Sequence, residues 1–278
     1  MNTKNKQIDF SYLLIHIILI FGVIIMVVPF LWMILTSLKS FTESVMVPPV
    51  IIPEIFRWDN YVKIIKELPF GIFYYNTIII TLARTAGQLL ICSMAAYSFA
   101  RLEFPGKNIL FVIMLTVLMV PGQIFLIPNY ITMEKLGLLN TLRAVILPGL
   151  FSAYGTFLLR QFFMTLPKEL EESAKIDGCT TFGIYWKIMM PLAKPGLVSL
   201  AIFTILWSWN ELLWPLIVNS SVFKMTLSPG LASLQGEHGT DYTLLMAGAV
   251  LAIWPMITMF FVFQKQFIEG IALTGTKG

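Results

Sequence analysis

The sequence predicts an all-α membrane protein with six transmembrane helices and both termini on the cytoplasmic side. Three observations carry this. Only 12% of the residues are charged and 57% are hydrophobic, against about 25% and about 45–50% in an average soluble domain. The mean hydropathy is +0.81, so the polar surface that a water-soluble fold needs is missing and the excess must face lipid. Apolar segments at 12–36, 72–99, 108–128, 141–162, 196–218 and 242–264 each meet the ~20 residues that a helix needs to cross ~30 Å of hydrocarbon. Only helices and closed barrels satisfy their backbones in lipid, and these runs are too long and continuous for barrel strands.

The first segment follows a polar stretch carrying Lys4 and Lys6. It is too long for a signal-peptide core and lacks a small-residue cleavage site, so it reads as a retained first helix. Residues 37–70 contain Pro48, Pro49 and Pro53, which forbid a long helix there. The chain therefore divides into 1–70, a first helix with an extracytoplasmic loop, and 71–278, a core of five helices. Arg101 and Lys107, then Arg160, Lys168, Lys175, Lys187 and Lys194, then Lys265 and Lys277 fall on the same side as Lys4 and Lys6. The excess of basic residues marks that side as cytoplasmic. Residues 37–70, with Lys39, Arg57, Lys63 and Lys66, are the exception. The net charge of +4 belongs to such loops and not to a nucleic-acid patch. Cys92 and Cys179 stand apart from other ligands and imply neither a disulfide framework nor a metal cluster.

Polar residues within spans are expensive in lipid and so are functional candidates. They are Asn76, Arg84 and Gln88 in the second span, Gln123 in the third, and Asn210 and Glu211 in the fifth. Arg84 either snorkels outward or lines a pathway. Trp207, Trp209 and Trp214 suit sugar recognition beside Asn210, or form an interfacial aromatic belt. Pro121-Gly122, Pro215 and Pro255 predict kinks, and broken helices often line substrate paths.

The stretch from Leu166 to Pro195 is the charged exception. Pro167 suits the first turn of a helix over 167–177, and Glu169, Glu171 and Glu172 lie near its positive end. Glu171 and Lys175 are spaced for an i,i+4 pair, and Gly178 is a stop signal. Asp177 sits at the negative end, where it either shapes the Asp-Gly turn or awaits a cation from a partner. A second helix over 181–190 is capped by Thr180 or Thr181 and ended by Pro191 and Pro195. Such a hairpin either docks a partner or lies as an amphipathic elbow on the bilayer.

The segment reads Glu172-Ser173-Ala174, three residues, Gly178, nine residues, Ile188, one residue, Met190-Pro191. It resembles the EAA loop of ABC-importer permeases, with Glu-Ala-Ala, three residues, Gly, nine residues, Ile, one residue, Leu-Pro. Ser173 and Met190 depart from the pattern, and both keep size or apolarity. Ala96 to Gly106, Trp209 to Leu216 and the tail from Phe267 are also similar to the smaller, six-helix carbohydrate permeases of the maltose-type class. The resemblance implies type I ABC-importer architecture, with 163–195 docking into a separate ATPase. The residues it implies for that coupling are Leu170, Glu172, Ser173, Ala174, Asp177, Gly178, Ile188 and Pro191. It further implies a homologous second permease, a cytoplasmic ABC ATPase dimer, an extracytoplasmic solute-binding protein and a site in the bacterial cell membrane. The expected cargo is a sugar, probed along Asn76, Arg84, Gln88, Gln123, Trp209, Asn210 and Glu211. A glycerol-phosphate importer and an ion-coupled secondary transporter are the alternatives.

Little else in the chain carries chemistry. Gly270 and Gly275 have a phosphate-loop spacing, but Thr276-Lys277 reverses the required order and no strand precedes it. His16 and His238 stand alone and make no metal site. Asn219-Ser-Ser is a short glycosylation match that arises by chance. No enzymatic activity and no cofactor are expected, with ATP hydrolysis on a partner subunit.

Overall fold

The computed structural model describes the backbone of residues 10–236 and 239–275, and the side chains of 12–236 and 239–265. Lys4, Lys6, His238, Lys277 and the Thr276-Lys277 dipeptide lie outside the described residues. Contacts divide the chain into two units. One holds the residues up to Leu68 with Ser233–Trp254, the other Pro69–Ala232 with the residues from Pro255.

In the first unit, α1 (Phe10–Ser37) is apolar on every side, and none of its residues from Tyr12 to Leu35 is buried within the chain. Its end is tied down by polar contacts. Ser37 Oγ meets the Tyr61 hydroxyl at 2.7 Å, and Asn60 Nδ2 donates to the Ser37 and Lys39 carbonyls at 2.9 Å each. The prolines of the 37–70 loop leave room for two short helices. α2 (Phe41–Val45) starts with a reciprocal cap between Ser40 and Glu43. α3 (Asp59–Glu67) carries an Asp59–Lys63 pair at 2.8 Å.

The second unit is built on α4 (Phe70–Arg101), whose 32 residues span about 48 Å. Then follow α5 (Lys107–Thr116), α6 (Leu126–Lys135), α7 (Leu142–Ile146) and α8 (Ala153–Thr165). The hairpin comes next as α9 (Glu169–Ile176), α10 (Thr181–Ile184) and α11 (Met190–Leu192). α12 (Lys194–Asn210), α13 (Leu213–Val218) and α14 (Leu227–Ala232) complete the unit. α8 and α12 both pack along α4. Their shared core includes Cys92, Tyr97, Leu159, Phe163, Ile184 and Leu200. A two-residue ribbon, β1 (Gln235–Gly236) with β2 (Gly239–Thr240), precedes α15 (Tyr242–Gly275).

Among the described residues, α1, α4 and α15 are long and apolar enough to cross a membrane, and three bent pairs of helices raise the count to as many as six when each pair is taken as one span. The sequence expectation of continuous third, fourth and fifth spans is corrected. The third breaks at Val120–Pro121, and Lys107–Met119 meets Gly122–Lys135 at 100°. Much of the stretch between the expected third and fourth spans is thus the helix α6. The fourth breaks at Leu150–Ser152, with 42° between its limbs. The fifth ends at Asn210, and the bent partner of α12 is the preceding helix Thr181–Leu192, at 76°, not α13.

Proline chemistry bears on the break of the fourth span and the end of the fifth. A proline offers no N–H to the carbonyl four residues back. Pro148 therefore frees the Ala144 carbonyl, which takes a hydrogen bond from Trp214 Nε1 at 3.0 Å. Pro215 likewise cannot serve Glu211, where α12 has just ended. Ser152 restarts the fourth span by accepting the Gly155 N–H at 3.0 Å.

Candidate functional site

Two places in the second unit gather polar side chains against the apolar background. The first lies at the break of the fourth span and the end of the fifth. Arg84, near the middle of α4, is 1% exposed. Its guanidinium is ion-paired with Glu211, just past the last turn of α12. The same group donates through Nε and Nη2 to the Val145 carbonyl. Nη1 also approaches Ser208 Oγ at 3.4 Å. The Trp207 ring lies 5.1 Å from its carbon centre, within cation–π range. One turn along α4, Gln88 donates to the Gly149 carbonyl at 2.8 Å and accepts from Thr204 Oγ1 at 2.9 Å. The broken fourth span thus supplies free carbonyls, and α4 supplies the donors that satisfy them. Gly149 permits this approach, because a Cβ there would collide with the Arg84 side chain. The snorkelling alternative for Arg84 is corrected by its burial and its partners.

The second place is the hairpin. α9 closes as a Schellman motif. Gly178, at φ +80°, donates to the Lys175 carbonyl at 3.0 Å, and Cys179 donates to the Ala174 carbonyl at 2.9 Å. Helix α9 begins at Glu169, so Pro167 precedes it instead of filling its first turn. Thr180 caps α10 by accepting the Gly183 N–H at 3.2 Å. Pro191 has no N–H for the Lys187 carbonyl, and the turn before it widens into a π-helical stretch, Tyr185–Met189.

One face of the hairpin is bolted to α4. Glu171 does not pair with Lys175 as its spacing predicted. It turns inward to Arg101, whose Nε lies 3.0 Å from Oε1, an ionic approach without hydrogen-bond alignment. Arg101 also donates to the Leu166 carbonyl. Tyr97 OH reaches Glu171 at 3.5 Å, and Ser93 Oγ meets Tyr185 OH at 2.8 Å. Positions 93, 97 and 101 recur every four residues and so share one face of α4. The opposite face of the hairpin is exposed, with Leu170, Glu172, Ser173, Asp177 and Gly178 upon it.

The predicted site residues therefore separate. Arg84, Gln88 and Glu211 come together. Asn76 is buried elsewhere, donating to the carbonyls of Phe223 and Met225 at 3.0 and 2.8 Å. Gln123 and Asn210 are exposed, and the Asn210 amide donates to its own helix at Leu206, 2.8 Å away. Trp209 and Trp214 are buried, which removes them from an interfacial belt; Trp209 packs edge-on to Tyr74. Asn219 is buried and donates to the Lys224 carbonyl at 2.9 Å, so the glycosylation match holds an inaccessible side chain. In the hairpin, Ala174 is buried in the core, Ile188 is half-buried and Pro191 is exposed. Sequence reasoning missed Thr204, Ser208, Tyr97 and the Arg101–Glu171 tie. Thr204 and Ser208 did carry a signal, two hydroxyls one turn apart within an apolar run.

Broken apolar spans, a buried charge pair beside the break of the fourth and a polar hairpin beneath define a membrane transport protein whose working surfaces are its helices. The chain belongs to the binding-protein-dependent transport system inner membrane components, whose family model matches residues 88–272. It is 39% identical over 257 residues to the arabinooligosaccharides transport system permease protein AraQ of Halalkalibacterium halodurans, covering 91% of this chain and 92% of that one. It is 31% identical over 264 residues to the sn-glycerol-3-phosphate transport system permease protein UgpE of Yersinia enterocolitica, covering 92% and 94%. The fold matches a chain in the crystal structure of a bacterial ABC transporter involved in the import of the acidic polysaccharide alginate. The TM-score is 0.80 at 20% identity, over 95% of this chain and 99% of that one.

Proposed function

We propose that this chain forms half of the translocation pathway of an ATP-driven sugar importer, with a di- or oligosaccharide as cargo. A homologous permease supplies the other half, and a separate cytoplasmic ATPase dimer drives it through the 163–195 segment. An extracytoplasmic binding protein delivers the sugar, and both chain ends face the cytoplasm. The observation that carries this reading is the hairpin. The EAA-like spacing falls on a helical pair turned by Gly178 and capped by Thr180, one face fixed to α4 and the other presenting Leu170, Glu172, Ser173 and Asp177 outward. In this reading Glu172 and Asp177 meet cations in the ATPase cleft, and Ala174 and Ile188 support the hairpin from within.

The greater identity to an arabinooligosaccharide permease than to a glycerol-phosphate permease supports a sugar. So does Arg84. A phosphate cargo favours an available arginine, and this guanidinium is already held by Glu211 and Val145. The test combines assembly with uptake. The tagged chain, expressed with its neighbouring genes, is expected to retain a second permease and an ATPase after detergent extraction. Gly178→Pro should release the ATPase alone. Cells carrying the assembly should accumulate labelled arabino-oligosaccharide and not glycerol phosphate. A chain that purifies alone and still transports would overturn the reading.

A further inference from the structure

We propose that the furrow between α5 and α8 binds one anionic phospholipid, with its phosphate at the α4–α5 corner and an acyl chain along α8. Two cavities follow each other along these helices. The first, of about 610 Å³, is lined by Lys107, Asn108 and Ile109 of α5 and by Arg160 and Met164 of α8. The second, of about 340 Å³, is lined by Val112, Leu115 and Met119 from the α5 limb and by Phe157 of α8. Thr116 is its one hydroxyl-bearing residue. Arg160 marks the seam. Its guanidinium carbon lies 4.2 Å over the ring of Phe111.

The charge at the first cavity suits an anion. Lys107 and Arg160 face it together with one carboxylate, Glu103. Glu103 reaches Lys107 at 3.2 Å, but its side chain is 90% exposed while that of Lys107 is 13% exposed. The carboxylate is therefore the solvated, screened partner, and the ammonium is the group held in the cavity wall. Arg160 engages Nε with the Phe99 carbonyl at 3.2 Å, which leaves its terminal amino groups as donors for a phosphate. The start of α5 opens into the same cavity, where Gly106 stands without a side-chain cap.

The second cavity decides between a free anion and a lipid. An inorganic anion has no use for an apolar trough beside its site, whereas an amphiphile fills both. Basic pockets between membrane helices hold acidic headgroups for this reason. Ile109, Val112 and Met119 are also exposed along the furrow, as expected for a surface that an acyl chain covers. The inference rests on the chain lying in a membrane and not on the identity of its cargo.

The test uses the assembled transporter in mild detergent, titrated with dioleoyl phosphatidylglycerol or dioleoyl phosphatidylcholine and read by native mass spectrometry. One saturable phosphatidylglycerol adduct is expected, in preference to phosphatidylcholine and undisturbed by excess inorganic phosphate. Lys107→Gln should weaken that adduct about fivefold, the effect of one surface cation on an acidic lipid. Lys107→Arg should restore it. Among the described residues the Lys107 ammonium has one ion pair, to the exposed Glu103, so the variant tests binding and not folding. Equal retention of both lipids, an unchanged Lys107→Gln adduct, or displacement by inorganic phosphate would each overturn the proposal. A cysteine placed at Val112 that crosslinks to a partner polypeptide in the membrane would assign the furrow to a protein helix and overturn it as well.

Discussion

Arg84 and Glu211 neutralise one another with side chains only 1% and 12% exposed, and the sign of the next substitution follows. Removing one partner strands the other charge in an apolar site, a loss of about 3–5 kcal/mol. Glu211→Gln should therefore lower the thermal midpoint of the detergent-solubilised chain sharply. Arg84→Met combined with Glu211→Gln should recover much of that loss. Equal midpoints for the single and double variants would contradict the pairing. A second carboxylate, Glu43, offers a pH test. Its oxygens accept the Ser40 and Glu54 N–H groups at 2.8 and 3.0 Å, and the bond to the Ser40 backbone is the main reason that its pKa lies below the usual carboxylate range. A depressed pKa in the fold means that the clasp is present above the ordinary carboxylate range and lost as the pH falls through the lowered value. Protection of the Glu54 amide from hydrogen exchange, corrected for its intrinsic rate, should drop over that acidic window. Glu43→Gln should abolish the step. Partners of this kind were only half legible beforehand. Glu43 obeys a three-residue capping rule that any sequence reading can apply. Arg84 finds its counter-ion 127 residues away, and Glu171 prefers a distant arginine to the lysine one turn along its own helix.

At the scale of elements, the hairpin and α4 move as one body if their contacts persist during the transport cycle. Arg101 is then a positioning residue, acting through Glu171. If the proposed ATPase docks on the hairpin, the expected signature of Glu171→Gln is an ATPase that still co-purifies but whose hydrolysis no longer responds to the loaded binding protein. The exchanged pair, Arg101→Glu with Glu171→Arg, should restore part of that response. A purely structural role would instead reduce assembly and response together, and the exchange would rescue neither. The hairpin itself was largely legible, since Thr180, Gly178 and the run of glutamates are local capping signals. The breaks in the spans were less so. Hydropathy reports how apolar a segment is and says nothing of whether its carbonyls have partners. Pro121-Gly122 and Pro215 stood out as kink sites. Pro148 passed unremarked because the residues around it are as apolar as any continuous helix.

For the whole molecule, the distribution of burial separates what the chain stabilises alone from what it leaves to its surroundings. Phe163 is fully buried in the core that joins α4, α8 and the hairpin, and Phe163→Ala should cost about 3–5 kcal/mol. Leu19, on the unburied α1, should change the stability of the isolated chain by less than about 0.5 kcal/mol when replaced by alanine. Unfolding midpoints measured side by side would decide this, and equal losses would show that α1 packs on the rest of its own chain. The two polar places also share one member. Arg84 and Gln88 belong to the charge cluster, and Ser93, Tyr97 and Arg101 to the hairpin anchor, all on α4. From Arg84 to Arg101 the unbroken helix covers about 25 Å.

The freed carbonyls of the fourth span also set an order of biosynthesis. When residues 142–165 leave the ribosome, Arg84 and Gln88 already stand in the membrane to receive Val145 and Gly149. Trp214, which completes Ala144, and Glu211, which neutralises Arg84, have yet to be made. Until then the nascent chain carries an uncompensated cation and short helical limbs that an insertion channel must shelter. A ribosome stalled before codon 211 would leave a product that membrane quality-control proteases can recognise by that cation, whereas one stalled far enough beyond codon 214 for Glu211 and Trp214 to have cleared the exit tunnel would not.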